Sequence, residues 1–206
     1  MFETPDPASR APLFAALEAQ GQEIHDAFAG LPLDVFLTPQ GEHWSPADHL
    51  RHLIKSVRPV AKILGGPKIV PWVLFGRGSG SSRSFDAIVD LYRRTLAAGA
   101  QAGNYAARPR QEGEMSDEAW RERTLEYWRQ ASSHLVKVLP KWNDRALDRY
   151  RIPHPLMGKF TVREMLYFTY YHNAHHARRV WERLGQPDRP GQPKSMGLEV
   201  ERVAVR

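Results

Sequence analysis

Every sustained apolar pattern in this chain recurs at helical spacing, and no stretch alternates convincingly with a period of two. That periodicity predicts an all-α protein, because helix side chains return to one face every 3.6 residues and strand side chains every second residue. The first segment runs from about Ser9 to Phe28, with Leu13, Phe14, Leu17, Ile24 and Phe28 in step and Gly30 just beyond. The second opens at Ser45 with Pro46 at the first helical position, where a missing N–H costs nothing, and runs to Leu64 before Gly65-Gly66-Pro67. A shorter helix, from about Phe85 to Leu96, ends in Ala-Ala-Gly. Ser116 caps another that carries Trp120, Tyr127, Trp128, Leu135 and Leu139 and stops at Pro140. Thr161 and Glu164 form a Thr-x-x-Glu capping box for the last, which reaches Leu184 and ends at Gly185. Four long helices, an extra short one and a loop insertion predict an antiparallel four-helix bundle. One domain over residues 1–206 is expected, with the bundle core at about 9–185 and a tail at 186–206.

The insertion, Gly65 to Ser84, is rich in Gly, Pro and Ser yet holds Val70, Trp72, Leu74 and Phe75, so it reads as a loop packed over other structure. It could cover the apolar body of a substrate, or pack on the bundle or on a dimer partner. No stretch approaches the ~18 apolar residues of a membrane span. Met1 to Arg10 holds Glu3, Asp6 and two prolines in place of a basic, apolar secretory leader, so a cytoplasmic protein without a membrane partner is expected. The net charge of +6 does not argue for nucleic acid: 22 of the 29 basic residues are Arg, scattered among 23 acids with no basic run of four.

Nine histidines stand against no cysteine. Disulfides, thiolate metal sites and thiol nucleophiles are therefore excluded, and any metal must be held by imidazole and carboxylate. On the last helix Val162, Met165, Leu166, Thr169, Val180 and Leu184 form one stripe that also takes in His172 and His176, whereas His175 lies roughly 100° away. Two imidazoles one turn apart on an inward stripe are spaced to share a metal ion or to hydrogen-bond within a core. A third ligand would come from another helix. The second helix offers His49 and His52, roughly 80° and 140° from its apolar stripe, so a helical wheel prefers His49. His134 is a further partner; His25, His43 and His154 read as surface or loop residues.

Trp44-Ser45-Pro46-Ala47-Asp48-His49-Leu50-Arg51-His52-Leu53 resembles the opening of the second helix in the DinB/YfiT-like superfamily. Gly158-Lys159-Phe160-Thr161, followed by His172-Asn173-Ala174-His175-His176, resembles the closing helix of the same superfamily, and helix number and order agree. The resemblance implies an up-down-down-up four-helix bundle, often a homodimer, holding a divalent metal with three histidines. Carried onto this chain these are His52, His172 and His176, with His49 the fallback that the wheel prefers. Relatives include thiol S-transferases, in which a metal activates a low-molecular-weight thiol, and proteins described as metal-dependent hydrolases.

Three neutral imidazoles leave a coordination position open, and histidine without thiolate suits Zn, Ni, Fe or Mn. A ligand imidazole usually donates its other N–H to an acceptor, for which Asp48 and Asn173 are candidates. A small-molecule substrate, with a thiol among the candidates, is expected. The alternative is a non-catalytic metal-binding or stress-related dimeric protein. No phosphate-binding glycine motif, nucleophile elbow or paired carboxylates accompany the histidines.

Overall fold

A computed structural model describes residues 9–78, 80–107, 113 and 115–185. Among these the chain is mostly helical, with long helices α1 (Arg10–Ala29), α3 (Pro46–Gly65), α6 (Asp117–Val138) and α8 (Val162–Arg183). Shorter helices are α2 (Leu33–Leu37), α4 (Ile69–Phe75), α5 (Phe85–Ala97) and α7 (Asp144–Arg149). The five segments expected from periodicity all form, each within a residue or two of its anticipated ends. The tail 186–206 lies outside the described residues.

Three features depart from the sequence reading. The insertion holds α4, where a packed loop is expected. Pro71 falls within its first turn, where the missing N–H has no helical partner to lose. The structure also has a hairpin, β1 (Arg151–His154) and β2 (Gly158–Thr161), paired Arg151↔Thr161 through His154↔Gly158. Its strands are four residues each and β1 contains Pro153, too short and too interrupted for a period-two signal; Gly158 takes φ +79 at the turn. Third, α2 and α7 are single short turns that carry no usable periodicity.

Helix α1 packs on α6 and α8, and α3 packs on the same two. Along α1 and α6, Ala29 meets Arg121, and Gly21 lies opposite Trp128 and Ser132. Along α3 and α6, Arg51 covers Trp120, Arg58 covers Tyr127, and Gly65 abuts Val138. Helix α8 meets α1 at Gln20–Tyr170 and Phe28–Trp181. The core between them is one cluster with three fully buried tryptophans. Two of their indole N–H groups donate to helix carbonyls, Trp128 to Gly21 and Trp142 to Leu64, so these rings add apolar area without an unmet donor. Gly21 allows that approach: a Cβ there would stand 3.0 Å from Ser132 Cβ.

Candidate metal centre

The site is built from two helix segments whose starts are fixed by capping boxes. Ser45 accepts from the Asp48 N–H while the Asp48 carboxylate accepts from the Ser45 N–H and hydroxyl, which sets the rotation of α3 and so the direction of its first two turns. Thr161 and Glu164 do the same for α8. His52 then faces His172, Nε2 to Nε2 at 3.0 Å, and His49 faces His176, Nδ1 to Nδ1 at 2.8 Å. His176 also lies 4.5 Å from His52 and 4.6 Å from His172, ring centre to ring centre. One nitrogen from each of His52, His172 and His176 falls within 4.8 Å of the other two.

Hydrogen bonding decides which nitrogens are free. The Tyr105 carbonyl can only accept, so His52 donates to it from Nδ1 at 2.9 Å and keeps a lone pair on Nε2, aimed at His172. His172 is buried, and its Nδ1 finds no hydrogen-bond partner. All three imidazoles are held below the ordinary histidine pKa. Burial is the main cause, offset in part at His52 by the Tyr105 carbonyl, while at His172 and His176 neighbouring imidazoles add to it. Neutral imidazole is the form that ligates a metal. Two ligands each ~2.0–2.1 Å from one ion stand roughly 3.0–3.4 Å apart, so the His52–His172 separation fits a shared cation. One nitrogen from each of the three imidazoles converges, and neutral imidazoles in that arrangement fit a shared divalent ion.

Around this group Trp44 packs on three rings at once, 5.2 Å from His52, 5.5 Å from His49 and 6.1 Å, stacked, from His176. Phe168 stacks on His172 at 4.9 Å, and Tyr92 meets His172 and His175 edge-on. His52 and His172 are buried and His176 is half-buried, so access is from the His176 side. There α8 continues with Arg179 and Arg183, three and seven residues past His176 on the same face. Arg183 donates to His49 Nε2 at 3.2 Å. Burial, with Arg183 and the neighbouring His52 adding to it, pushes His49 down to about 3.

The wheel's choice and the family's choice on α3 therefore occupy different places. His49 is not within the three-nitrogen group; it lies behind His176 as a hydrogen-bond partner. A straight wheel ranks it first because it averages over α3, whereas the site uses only the first two turns, where the helix approaches α8. Asp48 is spent on the α3 cap and on Arg51, 3.7 Å away, and the acceptor for His52 is the Tyr105 carbonyl. Asn173 donates to Gln20 on α1 at 3.1 Å and does not orient an imidazole. His134 is exposed beside Gly65, at the other end of α3. His25 bonds its neighbour Asp26, and His43 is exposed in a turn. His154, expected on a surface loop, is half-buried at the hairpin end against Phe160 and Phe168. The apolar insertion does not cover the histidines, because α4 follows the far end of α3, with Leu64 ~18 Å along the axis from His52.

Sequence reasoning missed Tyr105, Arg183 and the role of Trp44 as a lid. A backbone carbonyl carries no residue signature, so Tyr105 was not there to be found; Trp44 opens the very motif that singles out His52. No curated protein and no solved structure matches the chain. A family model described as the DinB superfamily matches residues 16–180, a span that takes in all three converging histidines, and the chain belongs to that superfamily.

Proposed function

We propose that this protein is a divalent-metal-dependent enzyme acting on a small molecule, of the thiol S-transferase or hydrolase type. His52, His172 and His176 would hold the ion, and the Zn, Ni, Fe or Mn that suits three imidazoles would supply Lewis acidity to a thiol or water at an open position. The observation that carries this reading is the convergence of one nitrogen from each of His52, His172 and His176 within 4.8 Å, two of them facing Nε2 atoms 3.0 Å apart. The chain's own residues complete the arrangement. Tyr105 fixes the tautomer of His52, and His49 stands behind His176 as its hydrogen-bond partner. Trp44 closes one side against water, and Arg179 and Arg183 bring positive charge to the open side, which favours a thiolate or another anionic group there. With no cysteine in the chain, a reacting sulfur arrives with the substrate.

The helix directions support the up-down-down-up bundle. Contacts advance together along α1/α8 and α3/α6, and in opposite directions along α1/α6 and α3/α8. A cytoplasmic homodimer is part of the same proposal; no described helix is long and apolar enough to cross a membrane.

Elemental analysis of untagged protein offered Zn, Ni and Mn should give stoichiometric metal, lost in His176→Ala. Conjugation assays with several thiols and electrophiles then test catalysis. Absence of metal from the wild type rejects the reading. Metal that no thiol or water can reach, and whose removal unfolds the protein, moves the site to a non-catalytic, structural role.

A further inference from the structure

Six large apolar side chains are exposed among the described residues, and five of them lie on one short helix. Ile69, Val70, Trp72, Val73 and Leu74 all lie on α4, with Val73 71% and Leu74 63% exposed, and Leu156 stands at the tip of the hairpin whose β1 packs on α4. Such a concentration on one seven-residue helix is not ordinary scatter of surface leucines. The two segments that form it carry charge of one sign. From Gly65 to Ser84 there is no Asp or Glu, and the same holds from Arg151 through Lys159. Lys68 donates to the Lys141 carbonyl, Lys159 to the Phe75 carbonyl, and Arg77 lies 4.1 Å over the Trp72 ring. Among the described residues these cations make no ion pair, so their contacts with carbonyls and a ring leave their charge unneutralised.

We propose that α4 and the hairpin tip are a peripheral docking surface for an anionic phospholipid membrane. A short helix, exposed over much of its circumference and edged by Trp72 and basic residues, suits the headgroup boundary. There the apolar side chains enter the acyl region and the cations meet lipid phosphates. A second copy of this chain fits less well, because it would set the same unneutralised cations against one another. The contact is a surface one, so the lack of a membrane span does not oppose it, and it revises the expectation that the protein has no membrane partner. It uses none of the three histidines: α4 follows the far end of α3 from them, and the hairpin tip approaches them only through His154, which packs on Phe168 behind His172.

The test is sedimentation of the full chain with vesicles of phosphatidylcholine alone or mixed with phosphatidylglycerol. We expect binding to the mixed vesicles, at least about tenfold weaker binding to the neutral ones, and sharp weakening between roughly 0.05 M and 1 M salt. Val73→Asp with Leu74→Asp should abolish binding and, both being surface positions, leave the helical circular dichroism unchanged. If that variant misfolds, Lys68→Gln with Arg77→Gln and Lys159→Gln carries the test, with loss confined to the anionic vesicles. Equal sedimentation with neutral vesicles, or binding untouched by either variant, overturns the proposal. So does a wild-type dimer that ignores vesicles and becomes monomeric in Val73→Asp/Leu74→Asp, which would make this face a contact between copies.

Discussion

Helix α8 carries two buried polar clusters, one on its first turn and one three turns later, and they are compensated in opposite ways. On the first turn Arg163 and Glu164 are each 4% exposed, yet both are answered by charge. Arg163 donates to Asp148 at 2.6 Å and to Asp144 at 2.9 Å; Glu164 accepts from the Arg83 guanidinium and backbone and from the Thr161 N–H. Burial pushes the Asp148 and Glu164 carboxyls up, but hydrogen bonds from Arg163 and Ser82, and from Arg83 and Thr161, outweigh it and hold both below the usual range. Three turns later the buried titratable groups are imidazoles. Their neighbours are other imidazoles, arginines and aromatic rings, and burial drives them neutral. The first cluster neutralises itself and ties the loop carrying Ser82 and Arg83 to α7 and α8. The second has no charged partner of its own among the described residues, and its three converging nitrogens could take a divalent cation.

If that contrast is right, removing one member should have opposite consequences in the two clusters. His172→Ala should lower metal affinity by about three orders of magnitude or more, ~4 kcal/mol, while leaving metal-free stability close to wild type after allowance for the cavity. Isothermal titration and urea unfolding in chelator measure the two quantities separately. A large loss of metal-free stability would show that the imidazoles form a structural core. Arg163→Ala should do the reverse: about 3 kcal/mol of stability lost, because two carboxylates lose their cation, with metal affinity unchanged. Between these lies His49→Ala, expected to weaken metal binding about 10–100-fold through loss of the hydrogen bond to His176. Arg183→Ala should not weaken it. Arg183 can only donate to His49 Nε2, which holds the proton of His49 on Nδ1; an ion on the far nitrogen of His176 needs that proton on His176 Nδ1 instead.

Much of this contrast is legible in the chain, though unevenly. Thr161-x-x-Glu164 and Ser45-Pro46 mark helix starts because capping is local chemistry, readable within four residues. The pairing of His172 with His176 is also local, since one helix sets it. The third imidazole is not: choosing His52 over His49 depends on how α3 meets α8, and periodicity within α3 favours the wrong residue for the group of three. Arg163 lies about 100° from Val162 on the wheel, off the apolar stripe, and gives no hint of its partners, because Asp144 and Asp148 reach it from α7, a helix of six residues too short to show a pattern. Helix α4 was hidden for a different reason: its glycine and proline surroundings signal a loop, and the exposure of its apolar residues is a tertiary fact.

The smallest expected effect separates the clusters by pH. Carboxyls held below their unfolded values lend stability that is fully present above about pH 4.5 and fades only as pH falls through the lower folded values, so the ion cluster is silent near pH 6. Histidines behave differently. His154 is pushed down to about 4 by burial, and its Nδ1 accepts from the Leu156 and Met157 N–H groups, a role that requires the neutral ring. As pH drops below 6.5 the unfolded chain takes up a proton there and the folded chain does not, so stability falls between pH 6.5 and about 4. From pH 6.5 to 5.5 the loss from one such histidine is about 1 kcal/mol. Urea unfolding of wild type and His154→Gln at several pH values should show that slope reduced by this amount, with or without metal, since His154 stands outside the group of three. A slope that vanishes once metal is bound would assign the whole acid sensitivity to His52, His172 and His176. The second cluster of α8 would then govern pH response as well as metal binding.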